Sequence, residues 1–387
     1  MGNGEWGTKN SEPNTSGFRL IIAGGGTGGH LFPGIAVARE LKTRVENAEV
    51  LFVVGRKKME ADILSHYGFR ALPIDVEGMK GRGLKKGMAV FIKLPKSIVQ
   101  SVSIIRQFSP WVALGVGGYS AGPFCVAAKF MGIPTAIHEQ NSYPGVTNRL
   151  LSKFVDRVFI SFEESRPHFL RKKPLLTGNP VRRELFLSRP NAEKPDRFTV
   201  LVVGGSQGAK AINEIFVEAL ASLTNRGKKI EVIHQAGKGD YERVIEDYRA
   251  RGLRGDIFPF IRDMGAAYNR ADIVVSRAGA TTIFELAALG KPSILIPYPY
   301  ATNRHQEINA GSLVRAGGAE MILQKDLTGE VMARTLIRYM DNHPALKKMG
   351  ENAHKIRRPN SAGVIVDQMI EMLQVTKVKV SRPLQSG

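Results

Sequence analysis

The stretch Arg19-Leu-Ile-Ile-Ala-Gly-Gly-Gly-Thr-Gly-Gly-His30 decides the fold of the N-terminal half. Leu20 to Ala23 form a short apolar run that predicts a buried strand, and the small residues after it predict a tight loop. The pattern becomes helical from Ile35 to Leu41. Glycine lets a ligand approach the backbone, and the free N–H groups at a helix start attract anions. The stretch therefore predicts a strand, loop and helix that hold phosphate or pyrophosphate.

The same unit recurs in the C-terminal half as Arg197-Phe-Thr-Val-Leu-Val-Val-Gly-Gly-Ser-Gln-Gly-Ala209, followed by a helix from about Lys210 to Leu223. Between the two units, Pro180 to Pro195 is rich in proline and arginine and has little apolar periodicity, so it predicts a linker. Short apolar runs alternate with amphipathic segments in both halves. We therefore expect an α/β protein with two doubly wound domains that face each other across a cleft.

Composition limits the class of protein and of partner. The chain has 387 residues, 43% of them hydrophobic, which suits two globular domains. Its net charge of +20 implies an anionic partner: a phosphorylated ligand, nucleic acid or an acidic membrane. The single cysteine, Cys125, excludes an internal disulfide. Residues 1–17 are polar and are expected to form a disordered tail, residues 376–387 a frayed one, and the chain to be soluble or peripheral.

Two cofactor or enzyme classes compete with a simple phosphate site. Gly24-x-Gly26-x-x-Gly29 matches the dinucleotide fingerprint, which also requires an acid after the second strand. That strand ends in Val54-Gly-Arg-Lys-Lys58, which disfavours NAD and leaves NADP open through Arg56. Gly118-Tyr-Ser-Ala-Gly122 matches the elbow of serine hydrolases, with Ser120 as nucleophile. That alternative would leave both glycine-rich units unexplained.

Three charged or titratable side chains are the candidates for chemistry. His30 follows the first loop, and its ordinary pKa of about 6.5 suits a base that takes a proton from a hydroxyl, or a residue that only makes hydrogen bonds. Arg182 at the domain junction could clamp a pyrophosphate or be an exposed linker charge. Glu285 follows a loop of small residues and could bind a ribose diol or cap a helix. The sequence has no Asp-x-Asp, so a metal-independent mechanism is expected.

One basic stretch has the pattern of a membrane contact. It mixes cationic and apolar side chains that suit an anionic bilayer, although a solvated basic helix is the alternative. The expected contacts are Lys80, Arg82, Leu84, Lys85, Lys86, Phe91 and Ile92. No recognition motif supports nucleic acid as a partner.

Several motifs in this order resemble the MurG family, bacterial enzymes that transfer N-acetylglucosamine to lipid I. They are Gly24-Gly-Gly-Thr-Gly-Gly-His30, His138-Glu-Gln-Asn141, Gly178-Asn-Pro-Val-Arg182, Gly204-Gly-Ser-Gln-Gly-Ala209, Arg277-Ala-Gly-Ala-Thr-Thr-Ile-Phe-Glu285 and Asn303-Arg-His-Gln306. The resemblance runs from about Phe18 to Leu373. It departs from the family at His305, where glutamine is frequent, and at Thr281.

The resemblance implies a GT-B fold of two Rossmann-like domains and transfer from UDP-N-acetylglucosamine to undecaprenyl-pyrophosphoryl-N-acetylmuramoyl-pentapeptide. Lipid II would form with inversion and without a cofactor, with His30 as first candidate base. Ser206 and Arg182 would approach the diphosphate, Ile261 the uracil, Glu285 the ribose and Gln306 the sugar. The other implied donor contacts are Thr27, Gly28, Gly29, Asn141, Ala280, Thr281, Thr282, Ile283 and Phe284. A loop of Gly117, Gly118 and Tyr119 would face the acceptor pyrophosphate.

The resemblance also implies an organisation and a location. The first domain would span 18–180, with a helix at about 360–375 packing back on it, and the second 181–358. The partners would be the two substrates, an anionic membrane surface and other proteins of cell-wall synthesis and division, with no nucleic acid. The protein would be peripheral on the cytoplasmic face of the bacterial inner membrane.

Overall fold

The computed structural model describes residues 17–26, 28–76, 84–169, 172–187, 197–205 and 208–380, with the side chains of 84–93 and 375–380 left out. Lys80, Arg82, and residues 1–16 and 381–387 of the expected tails lie outside these residues, whereas 376–380, expected to be frayed, are helical. None of the helices in the described ranges has the length and apolarity that a membrane crossing requires.

Two parallel sheets form the framework and confirm the expected fold class. The first has seven strands in the order β3-β2-β1-β4-β5-β6-β7, and the second has six in the order β10-β9-β8-β11-β12-β13. The strands of the first sheet are β1 Arg19–Ala23, β2 Glu49–Val54, β3 Arg70–Pro73, β4 Val112–Gly115, β5 Thr135–Glu139, β6 Arg157–Ile160 and β7 Leu175–Leu176. Those of the second are β8 Thr199–Val203, β9 Glu231–Gln235, β10 Asp256–Phe258, β11 Ile273–Ser276, β12 Ser293–Leu295 and β13 Glu320–Met321.

Helices cover the faces of both sheets. In chain order they are α1 Gly28–Arg44, α2 Lys58–His66, α3 Leu84–Phe108, α4 Ala121–Phe130, α5 Val146–Leu151, α6 Glu184–Leu187, α7 Lys210–Asn225, α8 Tyr241–Ala250, α9 Met264–Arg270, α10 Ala280–Leu289, α11 His305–Arg315, α12 Gly329–Met340, α13 His343–Lys355 and α14 Ser361–Val380. Short 3-10 turns lie at Glu163–His168, Thr302–Arg304 and Gln324–Asp326.

Strand order places the clefts of both domains at equivalent points. β1 pairs with β2 on one side and with β4 on the other, so the chain order reverses beside β1. β8 likewise lies between β9 and β11. Ligands of open parallel sheets bind at the carboxyl ends of the strands at such a switch point. The two glycine-rich loops follow β1 and β8, so both lie at this position.

The C-terminal helix belongs to the core of the first domain. α14 packs on α1, and its Ile365, Val366, Met369 and Met372 are buried with the core of the first sheet. The chain therefore crosses between the domains twice. The crossings touch, since a Cβ on Gly178 would lie 2.5 Å from the Cβ of Arg358.

Several element boundaries differ from the sequence expectation. The helix expected at Ala362–Leu373 continues to Val380, and the expected linker contains α6. β3 and β13 have no clear signal in the sequence because they are short and largely lack fully buried side chains. Their places in the sheets come from pairing with β2 and β12, which local sequence does not encode.

We expect Met369→Ala to destabilise the first domain. The Met369 side chain points from α14 into the core of the first sheet and is fully buried. Truncating such a methionine lowers the free energy of unfolding by about 2 to 5 kcal/mol. Urea denaturation followed by Trp111 fluorescence measures this loss, because Trp111 packs against the same core. Glu371→Ala on the exposed side of α14 is the control and should change stability by less than about 1 kcal/mol. Equal effects of the two variants would contradict the assignment of α14 to this core.

Candidate active site

The glycine-rich loop of the first domain holds a carboxylate of the protein itself. The N–H of Gly26 donates to Oε1 of Glu60 at 2.7 Å, and that of Gly55 donates to Oε2 at 3.1 Å. A Cβ on Gly25 would lie 2.4 Å from Oε2 of Glu60, so a larger residue there would have to displace this carboxylate. Glu60 itself is buried. The Gly26 amide that the sequence assigned to a ligand phosphate therefore already has an anionic partner, which argues against a dinucleotide in this loop.

Arg56, the cation that the NADP alternative requires, is bound to another side chain. Arg56 forms an ion pair with Asp75, just after β3. The hydrogen bond from Lys96, together with the charge of Arg56, holds the pKa of the Asp75 carboxyl below its ordinary value despite some desolvation. Arg56 is thus engaged in a surface network instead of being presented to a ribose phosphate.

His30 lies in the first turn of α1 and is half-buried. Its Nδ1 is 2.9 Å from Oε1 of Gln140, which follows β5. Gly117 lies against the ring: it has a φ of +87°, and a Cβ there would come within 2.9 Å of the His30 Nδ1. His30 therefore stands where the carboxyl ends of β1, β4 and β5 meet.

Ser120 does not have the surroundings of a hydrolase nucleophile. Its side chain is buried, and its Oγ has no hydrogen-bond partner among the residues that the structure describes. The preceding Gly118 has a φ of +83°, and a Cβ there would lie 2.3 Å from the Gly25 carbonyl oxygen. Gly25 in turn donates its N–H to the Gly117 carbonyl at 3.3 Å. The elbow-like motif is thus a loop packed on the first glycine-rich loop, with Tyr119 partly exposed beside it.

Arg182 and Glu285 form a buried ion pair at the domain junction. Nε and Nη2 of Arg182 donate to Oε1 of Glu285 at 3.2 and 2.8 Å, and Tyr268 donates its hydroxyl to Oε2 at 3.1 Å. The Arg182 guanidinium stacks on the ring of Phe32 in α1, 4.2 Å from its centroid. Burial works to lower the pKa of Arg182, but the charges and hydrogen bonds of Glu285 and Tyr67 together outweigh it and raise the pKa. Arg182 is therefore not an exposed linker charge, and Glu285 does more than cap α10.

A cavity of about 170 Å³ lies between the domains beside this pair. Its walls combine cationic and anionic side chains from both domains, and Arg39 forms an ion pair with Glu184 across it. The lining residues are Arg39, His66, Tyr67, Arg182, Glu184, Leu185, Arg262, Asp263, Met264 and Gly265.

The expected donor contacts on α10 divide into two groups. Ala280, Ile283 and Phe284 are buried in the core of the second domain, and Phe284 also packs edge-on against Phe162 of the first. Thr281 and Thr282 are half-buried at the helix start. The Oγ1 of Thr281 donates to the Gly29 carbonyl oxygen across the cleft at 3.4 Å. Among these five expected contacts, the side chains of the two threonines are the ones that reach the cleft surface.

The remaining expected contacts lie on the loop after β10 and in the first turn of α11. Ile261 is buried, and its N–H donates to Oε1 of Gln235 at 2.9 Å. Gln306 accepts a hydrogen bond from the Tyr298 N–H at 2.9 Å. Nδ1 of His305 is 2.8 Å from the Thr302 carbonyl oxygen, so this atom faces its own loop. Thr27 and Ser206 lie outside the described residues.

Asn309 is a cleft residue that the sequence analysis missed. It is fully buried in α11, and its Oδ1 accepts from the Ser142 N–H at 2.9 Å and from the Ser142 hydroxyl at 2.7 Å. Its Nδ2 is 3.4 Å from Oδ1 of Asn141. Asn309 thus joins the second domain to the loop after β5, but a single asparagine within a helix forms no sequence motif.

The described part of the chain contains no group of three histidine, cysteine or acidic side chains arranged to hold a metal ion. The acidic residues of the cleft already have partners. Glu139, for example, accepts from the Asn141 N–H at 2.9 Å and from Nδ2 of Asn148 at 2.9 Å.

Two family models match the chain: the glycosyltransferase family 28 N-terminal domain over residues 20–160 and the C-terminal domain over residues 199–364. The chain is 48% identical to the UDP-N-acetylglucosamine--N-acetylmuramyl-(pentapeptide) pyrophosphoryl-undecaprenol N-acetylglucosamine transferase of Syntrophus aciditrophicus, over 92% of this chain and 99% of the relative. It is 45% identical to the protein of the same name from Geobacter sulfurreducens, over 91% and 98%.

Solved structures agree with these relatives. The crystal structure of Acinetobacter baumannii MurG is similar with a TM-score of 0.73 and 30% identity, over 92% of this chain and 99% of that chain. UDP-GlcNAc 2-epimerase from Neisseria meningitidis, solved with UDP-GlcNAc bound, has a TM-score of 0.63 at 15% identity, over 92% and 100%, which shows the fold alone.

Two buried histidines predict a loss of stability in mild acid. Burial lowers the pKa of both His138 and His234 to about 4, from 6.5. Between these values the unfolded chain binds more protons than the folded one, so stability is fully present above pH 6.5 and falls as the pH drops towards 4. The loss is at most about 3 kcal/mol per histidine. Melting temperatures from pH 7.5 to 4.5 measure it.

His234→Gln should weaken this pH dependence, because it removes one of the two groups that must take up a proton. The control is His343→Gln, an exposed position that should leave the slope unchanged. The same slope in wild type and His234→Gln would contradict a neutral, buried His234.

Proposed function

We propose, since the chain belongs to the MurG family of glycosyltransferases, that it transfers N-acetylglucosamine from UDP-N-acetylglucosamine to undecaprenyl-pyrophosphoryl-N-acetylmuramoyl-pentapeptide, forming lipid II in peptidoglycan synthesis. One observation supports this most directly. His30 of the first domain stands beside Gly29, and the Gly29 carbonyl accepts a hydrogen bond from Thr281 of the second domain. The residue proposed as base thus lies across the cleft from the loop proposed to bind the donor.

The donor would bind mainly to the second domain. Its diphosphate would lie against the starts of α7 and α10, where unpaired N–H groups and the helix dipoles favour negative charge. Arg182 donates two N–H groups to Glu285, and these hydrogen bonds fix the orientation of the guanidinium. Its other N–H groups could then donate to phosphate oxygens. Glu285 would accept from the ribose hydroxyls, Ile261 would contact the uracil and Gln306 the sugar.

The reaction would be a direct displacement with inversion. The muramoyl 4-hydroxyl attacks the anomeric carbon, His30 accepts the hydroxyl proton, and the bond from that carbon to UDP breaks with its electron pair leaving on the diphosphate. The helix starts and Arg182 would stabilise the leaving charge in place of a metal ion. The pairing of the cleft acids with protein donors supports this metal-independent route.

The acceptor pyrophosphate would lie at the start of α4. Gly117, Gly118 and Tyr119 lead into this helix, and the Ser120 hydroxyl, which has no partner among the described residues, lies at the same place. An oxygen-rich anion can accept from the N–H groups of the first turn and from such a hydroxyl. This position is beside His30, which Gly117 contacts.

The lipid tail would hold the first domain against an anionic membrane, on the cytoplasmic face of the inner membrane. The side chains of Leu84, Lys85, Lys86, Phe91 and Ile92 lie outside the described ones, but α3 packs on α4, and α4 on α5. α4, α5 and the turn after α5 expose Phe130, Val146, Leu150 and Phe154 together with Lys153, and Arg149 is half-buried beside them. Such a mixture suits insertion into the headgroup region. Proteins of cell-wall synthesis and division are proposed as further partners there.

His30→Ala should lower the rate of lipid II formation by about 10² to 10⁴, because general base catalysis contributes that much. The measurement is transfer of labelled N-acetylglucosamine to lipid I. UDP and UDP-N-acetylglucosamine should still raise the melting temperature of the variant, since the donor binds elsewhere.

His343→Ala, on the surface of the second domain, is the control and should keep the wild-type rate. Full activity of His30→Ala at every pH would remove His30 as the base. Loss of wild-type activity with a chelator, restored only by a divalent ion, would overturn the metal-independent route. A melting temperature raised by NADP and not by UDP would overturn the donor.

Phe130→Asp combined with Phe154→Asp should reduce binding to vesicles of phosphatidylglycerol and phosphatidylethanolamine by about tenfold or more, because two aromatic side chains lose their apolar contact. Phe91→Asp with Ile92→Asp should act in the same direction. Sedimentation with vesicles measures the bound fraction. Phe258→Asp, at an edge strand of the second domain, is the control. Binding that neither pair changes would rule out this surface.

A further inference from the structure

We propose that Gln140 is a positioning residue that holds His30 as the Nδ1–H tautomer. Nε2 of His30 is then the nitrogen that takes the proton from the attacking sugar hydroxyl. The inference rests on the proposed role of His30 as base and adds a mechanism by which the protein prepares that base.

The orientation of the Gln140 amide is fixed by its surroundings. Its Nε2 lies 3.0 Å from the Val116 carbonyl oxygen, 3.2 Å from the His138 carbonyl oxygen and 3.1 Å from Nδ1 of His138. The two carbonyl oxygens can only accept, so the –NH₂ group must face them. The opposite orientation would place the amide oxygen against both carbonyls. Gln140 is also buried, so water cannot compensate for that repulsion.

His138 extends this chain of hydrogen bonds and makes it self-consistent. Its Nε2 is 3.1 Å from the Gly178 carbonyl oxygen, which accepts from Nε2–H. Its Nδ1 then carries a lone pair that accepts from the Gln140 –NH₂ group. Burial lowers the pKa of His138 to about 4, so the ring stays neutral at physiological pH. A protonated His138 would direct an N–H at the N–H of Gln140.

The amide oxygen of Gln140 therefore has one direction left, towards His30. Oε1 is 2.9 Å from the His30 Nδ1 and accepts its proton in a hydrogen bond. A neutral imidazole has one N–H, so Nε2 is the basic nitrogen. When Nε2 takes the proton of the attacking hydroxyl, Nδ1–H stays bonded to the amide oxygen, and the proton passes no further.

The acidic groups near His30 all bind other partners, so Gln140 is the residue that determines the His30 tautomer. Glu139, next to Gln140, gives its carboxylate to Asn141, Gly145 and Asn148. Glu60, behind the first loop, accepts from Gly26 and Gly55. On the α10 side, Glu285 is paired with Arg182. Among the described residues, His138 is the one other titratable group in the hydrogen-bond chain that contains Gln140 and His30.

A neutral partner has a chemical advantage over a carboxylate here. A carboxylate beside Nδ1 would favour the imidazolium and raise the pKa of His30. More of the enzyme would then carry a protonated base near neutral pH. An amide fixes the tautomer and the ring orientation without adding a negative charge.

The test combines kinetics with nitrogen NMR of histidine-labelled protein. Wild-type His30, identified by its absence in His30→Ala, should show an unprotonated Nε2 and a protonated Nδ1 above its pKa. Gln140→Met keeps the length of the side chain but removes the amide. It should mix the two tautomers and lower kcat about tenfold or more, since an imidazole in the wrong tautomer cannot act as base. The KM for UDP-N-acetylglucosamine should change by less than about twofold.

Gln140→Glu is the second variant and gives a pH readout. The carboxylate should raise the pKa of His30 and move the acid limb of the kcat/KM profile to higher pH. Asn213→Leu removes a matched buried amide that lies 3.1 Å from Nε2 of His234 in the second domain. It should lower the melting temperature and leave the His30 nitrogen signals unchanged.

The outcomes separate this inference from the proposed function. A wild-type Nε2–H tautomer, or an unchanged tautomer and rate in Gln140→Met, would overturn the role of Gln140 while an inactive His30→Ala still supported the base. Full activity in His30→Ala would overturn the base itself, whatever Gln140 does.

Discussion

The ion pair of Arg182 and Glu285 is the contact on which the cleft depends. Arg182 lies on the first crossing between the domains, stacks on Phe32 of the first domain and binds Glu285 of the second. Both side chains are nearly inaccessible, at 12% and 6% exposure, so each charge would be costly to bury without the other. The pair therefore favours the arrangement in which both domains contribute, and it fixes the orientation of the guanidinium.

The two glycine-rich units of this glycosyltransferase have the same shape and different uses. In the first unit, the N–H groups of Gly26 and Gly55 bind the carboxylate of Glu60, so these two amides are not free to bind a phosphate. It serves instead as a rigid wall that packs on the Gly117 loop and carries His30. The second unit has no acidic contact of this kind among the described residues, and this leaves the start of α7 to the proposed donor. Under the proposed function, the duplicated architecture is divided between acceptor and donor.

Sequence predicted the fold class because it depends on local patterns: apolar runs, glycine loops and helical periodicity. It also predicted that His30, Arg182 and Glu285 belong to the cleft. It did not predict that Arg182 and Glu285 bind each other, nor the roles of Glu60, Gln140 and Asn309. These residues act through partners far away in the chain, such as Ser142 for Asn309. Single polar residues of this kind form no motif, and only the folded chain shows which donor meets which acceptor.

The double crossing between the domains determines how the two domains are joined. The chain leaves the first domain at Gly178 and returns to it near Arg358, and these two segments are in contact. Because the two connections touch, both polypeptide links between the domains lie at one place in the structure. A proteolytic cut in the first connection would divide the chain into two polypeptides, and the packing of α14 on α1 would then hold the second domain to the first without a covalent bond. A cut near Arg358 would instead leave the two sheets on one polypeptide, with α14 held by packing alone.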